Sequence, residues 1–121
     1  GGTLHPRFDI VMQYLDFDRL LGEADLVITA EGSLDAQTPH GKVPAEVAQR
    51  AKRRGLPVIA LAGMLGSGVE QNIAHGIDAF ASIVQRPCTL DEAFAKAGQW
   101  LRHAAEDAAR MVGVGMALAR R

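Results

Sequence analysis

Two short apolar runs, each followed at once by glycine and polar residues, constrain the fold of this chain most strongly. The first is Leu26–Thr29 and the second is Val58–Ala62. Short runs rich in β-branched residues are typical of strands buried on both faces, as in parallel sheets. A helix predicted from Pro44 to about Arg54 separates them. The chain is therefore expected to form a β-α-β unit with parallel strands.

The rest of the chain is also predicted to alternate between helices and strands. A helix is predicted over Arg7–Leu21, a short helix over Val69–His75 and a third strand over Ala79–Ile83. Thr89 and Glu92 have the T-x-x-E spacing of a capping box, which starts a final helix. The predicted buried stripe of that helix consists of Leu90, Ala93, Phe94, Ala97, Leu101, Ala104, Ala108, Met111 and Val112.

Composition limits the class of protein. The chain has 121 residues, about one domain, of which 48% are hydrophobic, and its formal net charge is −1. This balance disfavours nucleic-acid binding, which normally needs a basic excess. The longest apolar stretch, Val58–Leu65, is far shorter than the ~20 residues that span a bilayer. With a single cysteine, Cys88, and no leader pattern, we expect a soluble, cytoplasmic α/β chain without membrane contact.

Three strands are few for an open parallel sheet, and a bare sheet edge favours unwanted pairing. We therefore expect residues 1–121 to be part of a larger protein. The opening Gly1-Gly2-Thr3 without methionine fits that expectation. The tail, Gly113–Arg121, is predicted to fray.

The loop after the first strand, Ala30–Lys42, contains the densest set of reactive side chains. In open α/β sheets ligands bind outside the carboxyl ends of the strands, so this loop and the next are expected to lie close together. The carboxylates of Glu31 and Asp35 can hold Mg²⁺ or accept a proton, and Lys42 can neutralise phosphate charge. The alternative is an ordinary turn, with Asp35 and Thr38 bonded to the backbone and Glu31 and Lys42 solvated.

The loop after the second strand, Gly63–Gly68, has the composition of an anion-binding turn. Its glycines allow backbone N–H groups to approach an anion, and a helix follows. It matches neither the Walker P-loop nor the G-x-G-x-x-G spacing, so a purely structural loop is the alternative. The four histidines show no zinc-ligand spacing, Cys88 is expected to be at least half-buried, and Phe94 and Trp100 are expected to be packing residues.

The segment from Ala24 to Thr38, followed by Gly41-Lys42-Val43-Pro44 and Val47-Ala48, resembles the bacterial type I glycerate kinases. Members of that family have a similar segment, D-L-V-I-T-G-E-G-x-x-D-x-Q-T-x-x-G-K-x-P. The similarity continues through Pro57–Gly63, Gly76–Phe80 and Ser82-Ile83. Three departures stand out. Ala30 and Glu46 both replace glycine, and Ala30 is expected to tighten the turn before Glu31. The glycine-rich and acidic motifs from the N-terminal part of the family are absent from these residues.

The resemblance implies ATP-dependent phosphorylation of D-glycerate with Mg²⁺. It places Glu31, Asp35 and Lys42 in the catalytic centre, with Glu31 and Asp35 as candidate magnesium ligands. The implied substrate-binding residues are Ser33, Gln37 and Thr38. The implied phosphate- and nucleotide-binding residues are Gly63, Gly66, Ser67 and Gly68.

The family has two α/β domains, and residues 1–121 resemble the C-terminal portion that completes its Rossmann-like, flavodoxin-like domain. That portion is expected to be inactive alone, since phosphoryl transfer needs several loops at once. Two other hypotheses stay open: a non-catalytic module that binds an anion or nucleotide, and an assembly domain. The expected partner is the missing N-terminal part of the kinase, or a second copy that pairs through the sheet edge.

Overall fold

The computed structural model describes residues 21–39 and 43–121. In this part of the chain, three strands form a parallel sheet in the order β1-β2-β3. The predicted α/β class with parallel pairing is confirmed, whereas most of the helix predicted over Arg7–Leu21 lies outside the described residues. The elements are β1 (Val27–Leu34), α1 (Val43–Arg53), β2 (Val58–Leu65), a 3₁₀ helix (Val69–His75), β3 (Ala79–Ser82) and α2 (Leu90–Ala119).

Helices cover both faces of the central strand. On one face, Ala48 and Ala51 of α1 share a buried cluster with side chains of β2. Because side chains alternate along a strand, Ile59 and Leu61 lie on the opposite face, where α2 packs against β2. The residues of β2 in the α1-side cluster are Val58, Ala60 and Ala62.

Both leading strands run further than predicted. β1 continues to Leu34 and β2 to Leu65, so the loops begin at Asp35 and Gly66 rather than at Ala30 and Gly63. The pairing explains the difference, since the parallel ladder continues through Ser33↔Met64 and Leu34↔Leu65 despite the polar residues and glycines. The expectation that Ala30 tightens a turn was wrong, because Ala30 lies within β1 opposite Leu61.

The C-terminal helix begins as predicted, but part of its apolar stripe is uncovered. Thr89 caps α2, its hydroxyl accepting from the Glu92 N–H at 3.2 Å. Trp100 is buried as expected. Leu90 and Phe94 are each 70% exposed and Met111 is 72% exposed. Their predicted burial was wrong within the described structure, where α2 packs chiefly against β2 and leaves these side chains uncovered. The helix reaches Ala119, and fraying of its end stays a prediction.

The chain enters β3 through a tight turn at Gly76. Gly76 has φ +102°, and an added Cβ would lie 3.2 Å from Lys52 Cγ and 3.3 Å from Ala48 Cβ on α1. Side chains are strained at this φ, and the adjacent helix leaves little space. Gly76 therefore fixes how closely the 3₁₀ helix approaches α1.

We expect Gly76→Ala to lower the free energy of unfolding by about 1–2 kcal/mol, because alanine resists positive φ. Gly113→Ala is the matched control, since Gly113 lies within α2 with open space at its Cβ position. Alanine there should stabilise the chain by roughly 0.5–1 kcal/mol through helix propensity. Urea unfolding of both variants checks this. A Gly76→Ala variant as stable as wild type would contradict the strained turn.

An ion pair joins α1 to the start of β3. Asp78 Oδ2 accepts from the Lys52 ammonium and, at 2.8 Å, from the Val58 N–H. The hydrogen bond from Lys52 holds the pKa of Asp78 below its ordinary value of 3.8, and the Val58 N–H acts in the same direction. Partial burial opposes both effects.

We expect Asp78→Asn to destabilise the chain at pH 7 by about 1 kcal/mol or less, because the pair is partly solvated. A carboxyl with a lowered pKa in the folded state stabilises it fully above pH 3.8, its ordinary pKa. That contribution is lost as the pH falls through the lower, folded-state value. A double-mutant cycle with Lys52→Met, measured by urea unfolding, should give a coupling at pH 7 that vanishes near pH 2. A coupling energy that does not change with pH would show that the ionised Asp78 carboxylate is not the source of this stabilisation.

Candidate functional site

Two loops meet at the carboxyl edge of the sheet. The Gly66 N–H donates to the Leu34 carbonyl at 2.6 Å, and the Ala36 N–H donates to the Ser67 carbonyl at 3.0 Å. We call residues 35–39 the first loop and residues 66–68 the second loop. The prediction that the loops after β1 and β2 lie side by side is confirmed.

The glycines of the second loop make this contact possible. A Cβ on Gly66 would lie 2.9 Å from Asp35 Cβ, and one on Gly68 would lie 2.7 Å from Ala36 Cβ. Gly68 also has φ +75°. Both glycines thus have a packing function, and the Gly66 N–H is already bonded to Leu34. Their predicted contact with phosphate stays a prediction.

Asp35 is at the centre of a closed turn in the first loop. Its Oδ1 accepts from the Gln37 N–H at 2.8 Å, and its carbonyl accepts from the Thr38 N–H at 3.2 Å. The Asp35 N–H in turn donates to Thr38 Oγ1 at 3.0 Å. Thr38 is fully buried and Gln37 is exposed. These are the backbone contacts expected of Asp35 and Thr38 in an ordinary turn, and they hold the carboxylate in one place.

Asn72 is a residue of this site that the sequence analysis missed. It is 1% exposed, and its Nδ2 donates to the Asp35 carbonyl at 3.0 Å and to the Val69 carbonyl at 2.8 Å. Among the residues that the structure describes, its Oδ1 has no hydrogen-bond partner, an arrangement that typically costs about 1–3 kcal/mol for a buried polar group. A polar residue in a short helix is usually exposed, so nothing in the sequence distinguished Asn72 from its neighbours.

Glu31 lies in the sheet rather than in the first loop. It pairs with Ala62, which pairs with Ser82, so these three residues form one row across the strands. Glu31 and Asp35 are four positions apart along an extended segment, which corresponds to about 13 Å between their Cα atoms. In residues 21–39 and 43–121, no group of three or more acidic, histidine or cysteine side chains could hold a metal ion. This geometry does not favour a single Mg²⁺ held jointly by Glu31 and Asp35.

Ser82 adds a second polar group to this row, and the sequence analysis did not predict it as a site residue. Its hydroxyl donates weakly to the Gly63 carbonyl at 3.4 Å and accepts from the Val84 N–H at 3.1 Å. Gly63 in turn packs tightly against β1, since a Cβ there would lie 2.9 Å from the Gly32 carbonyl oxygen. Only glycine fits at this contact between the strands, so packing alone accounts for a glycine at position 63.

An apolar cleft of about 670 Å³ lies between this edge of the sheet and the first half of α2. Met64 of β2, 60% exposed, borders it opposite Leu90 and Phe94 of α2. Glu31 and Ser33 also border it, so the cleft adjoins the polar row. The other lining residues are Ala30, Gly32, Leu61, Gly63, Ile83, Val84, Ala93, Ala97, Gly98, Trp100 and Leu101.

The remaining predicted residues are placed as follows. Lys42, with His40, lies outside the described residues. Ser67 is exposed, and Cys88 is half-buried as expected. Glu46, the second departure from the family pattern, pairs with Arg50 at 2.8 Å one turn along α1. Across the described part of the chain, no helix is long and apolar enough to cross a membrane.

Comparison with known proteins identifies relatives along nearly the whole chain. The model of the glycerate kinase family matches residues 1–113. A glycerate kinase of Halalkalibacterium halodurans is 47% identical over 106 residues, covering 88% of this chain, and the glycerate 2-kinase of Escherichia coli K12 is 40% identical over 116 residues, covering 96%.

A solved structure shows the same similarity in three dimensions. The crystal structure of a Salmonella typhimurium LT2 protein, provisionally named glycerate kinase 2, matches with a TM-score of 0.65 and 42% identity over 89% of this chain. The chain spans 27% of that structure, 28% of the Halalkalibacterium protein and 30% of the Escherichia coli protein. Its strands, loops and sequence together show that the chain belongs to the glycerate kinase family.

Proposed function

We propose that this chain forms one wall of the active site of a glycerate kinase that transfers the γ-phosphoryl group of ATP to D-glycerate, and that it is inactive alone. The observation that supports this most is the joining of two loops at the carboxyl edge of the sheet, which presents the Asp35 turn in a fixed position. The family and its relatives' names supply the reaction and substrate. The cytoplasm, where ATP is available, is the expected location.

In the proposed reaction a hydroxyl oxygen of glycerate attacks the γ-phosphorus, and the bond to the ADP oxygen breaks. A carboxylate accepts the hydroxyl proton. Glu31, half-buried in the rigid strand, is suited to this task, and Asp35 in the turn is suited to face the phosphates. Lys42 neutralises phosphate charge in this scheme, and Gln37 and Ser33 orient glycerate. The buried Thr38 supports the turn.

We infer that Asp35 binds Mg²⁺ without Glu31, rather than the two carboxylates binding one ion together. Magnesium in kinases is commonly bound by one or two carboxylates, with phosphate oxygens and water completing its shell. Asp35 would hold the ion, which supplies charge stabilisation to the transferring phosphoryl group. Ser67 is exposed in the second loop and is the side chain of that loop best placed to contact phosphate. Gly63, Gly66 and Gly68 would contribute indirectly, because they allow the two strands and the two loops to pack closely together.

The apolar cleft supports the proposal that this chain works as part of a longer one. Leu90, Phe94 and Met64 expose large apolar side chains beside the polar row. Grouped exposed apolar residues typically mark a surface that another unit covers. Since relatives are more than three times the length of the match, the rest of the kinase is the proposed partner. A second copy of the chain is the alternative outcome.

A chimera tests the activity: this chain replaces the 106 aligned residues of the Halalkalibacterium halodurans enzyme. We expect glycerate-dependent ADP release with Mg²⁺ from the chimera and none from the chain alone. Asp35→Asn should lower kcat about 100-fold or more, because the charge that would hold the ion at the transferring phosphoryl group is lost. Asp107→Asn, an exposed carboxylate on α2, should leave it unchanged. A folded chimera without activity would contradict the proposal, and an active isolated chain would contradict its dependence on a partner.

The cleft yields a separate prediction. Phe94→Ser should change the unfolding free energy of the chain alone by only about 0.5 kcal/mol, since Phe94 is 70% exposed. In the chimera the same change should cost about 1.5 kcal/mol or more, because the ring is then buried. Leu118→Ser is the control, because Leu118 lies beyond the family match and outside the cleft. It should change the unfolding free energy by the same amount in the isolated chain and in the chimera. Urea unfolding measures this, and equal effects of Phe94→Ser in the two proteins would show that the kinase leaves the cleft open.

A further inference from the structure

We propose that Asn72 is a positioning residue, whose side-chain amide holds the Asp35 turn against the 3₁₀ helix that follows the second loop. The role of Asp35 rests on the function proposed above, but the positioning itself is a property of this chain. Asn72 belongs to the 3₁₀ helix and lies 37 positions from Asp35 in sequence, yet its Nδ2 is 3.0 Å from the Asp35 carbonyl oxygen.

Three hydrogen bonds tie residues 34–36 to residues 66–72 within the described structure. Two join backbone groups, from Gly66 to Leu34 and from Ala36 to Ser67, and form with almost any side chains. The third, from Asn72, is the one that depends on a side chain. It ends on the same Asp35 carbonyl that accepts the Thr38 N–H. That oxygen is thus the point at which the turn and the 3₁₀ helix are joined.

The chemistry of the amide explains why the residue is asparagine. Both acceptors of the side chain's hydrogens are carbonyl oxygens, those of Asp35 and Val69, so two N–H groups are required on one short side chain. An aspartate has no such donors, and a leucine of similar size has none. Among the described residues its Oδ1 is buried without a partner, so the hydrogen bonds that this side chain makes there are the two donated by its N–H groups.

The hydrogen bond from Asn72 to the Asp35 carbonyl also restrains the Asp35 carboxylate. Asp35 Oδ1 is bonded to the Gln37 N–H, and the Asp35 N–H to Thr38 Oγ1, so backbone and side chain of Asp35 are oriented together. If the anchor from Asn72 is removed, the turn is held to the second loop by backbone contacts alone. Because phosphoryl transfer depends on placing charged groups to within a fraction of an ångström, such loosening should affect turnover more than folding.

Hydrogen exchange followed by NMR on the ¹⁵N-labelled chain tests the anchor directly. In Asn72→Leu, the amides of Asp35, Ala36 and Thr38 should exchange at least about tenfold faster, as expected for a local opening, while the amides of β2 change little. Gln71→Leu, which removes the neighbouring exposed amide, should leave all of them unchanged. Parallel acceleration of the β2 amides, or unchanged exchange in the turn, would overturn the proposal.

A second measurement needs no variant. The two Nδ2 protons of wild-type Asn72 should exchange markedly more slowly than the Nε2 protons of Gln71, because Asn72 is buried and both of its Nδ2 protons are hydrogen-bonded, whereas Gln71 is exposed. Equal rates would overturn the proposal. Asn72→Asp, which keeps the side chain's shape, replaces Asn72→Leu if the latter does not fold.

The chimera relates the anchor to catalysis. We expect Asn72→Leu to lower kcat per folded molecule about tenfold or more with a smaller change in KM, whereas a merely structural role would lower only the folded fraction. Unchanged kcat in a chimera whose turn exchanges faster would show that Asn72 does not position the reacting groups. An inactive chimera with wild-type residues would contradict the proposed function alone, and the exchange experiment would still decide the role of Asn72.

Discussion

The contact between the two loops at the carboxyl edge of β1 and β2 is the constraint on which the site depends. Two backbone hydrogen bonds and one side-chain bond join segments that are some thirty residues apart in sequence. They form only because Gly66 and Gly68 have no side chain to collide with Asp35 and Ala36. The glycines therefore bring the polar loop close to its neighbour, and the reactive groups gain a defined place from that packing.

Much of the architecture could be predicted from the sequence because it depends on local patterns. The paired apolar runs predicted the parallel strands, and Thr89 with Glu92 predicted where α2 begins. The strand ends could not be predicted, since Glu31, Gly32 and Ser33 look like loop residues, and only the partner strand keeps them extended. The exposed half of the α2 stripe was missed for a similar reason, because an apolar stripe does not show what covers it.

The candidate site could be predicted less completely. The positions of Asp35 and Gln37 in a polar turn followed from their residue types, and the closeness of the two loops followed from the parallel order. The contribution of Asn72 depends on a contact between residues far apart in sequence, which residue type alone does not reveal. Membership of the glycerate kinase family is the basis of the reaction proposed above, which the geometry alone does not specify.

The extension of β1 through Leu34 supports the backbones of the two acidic residues differently. The Glu31 backbone belongs to a hydrogen-bonded ladder, whereas Asp35 belongs to a turn that is held at a few points, one of them through its own carboxylate. In the proposed kinase, a carboxylate on a strand and a carboxylate on a turn would therefore face the substrate from supports of different stiffness.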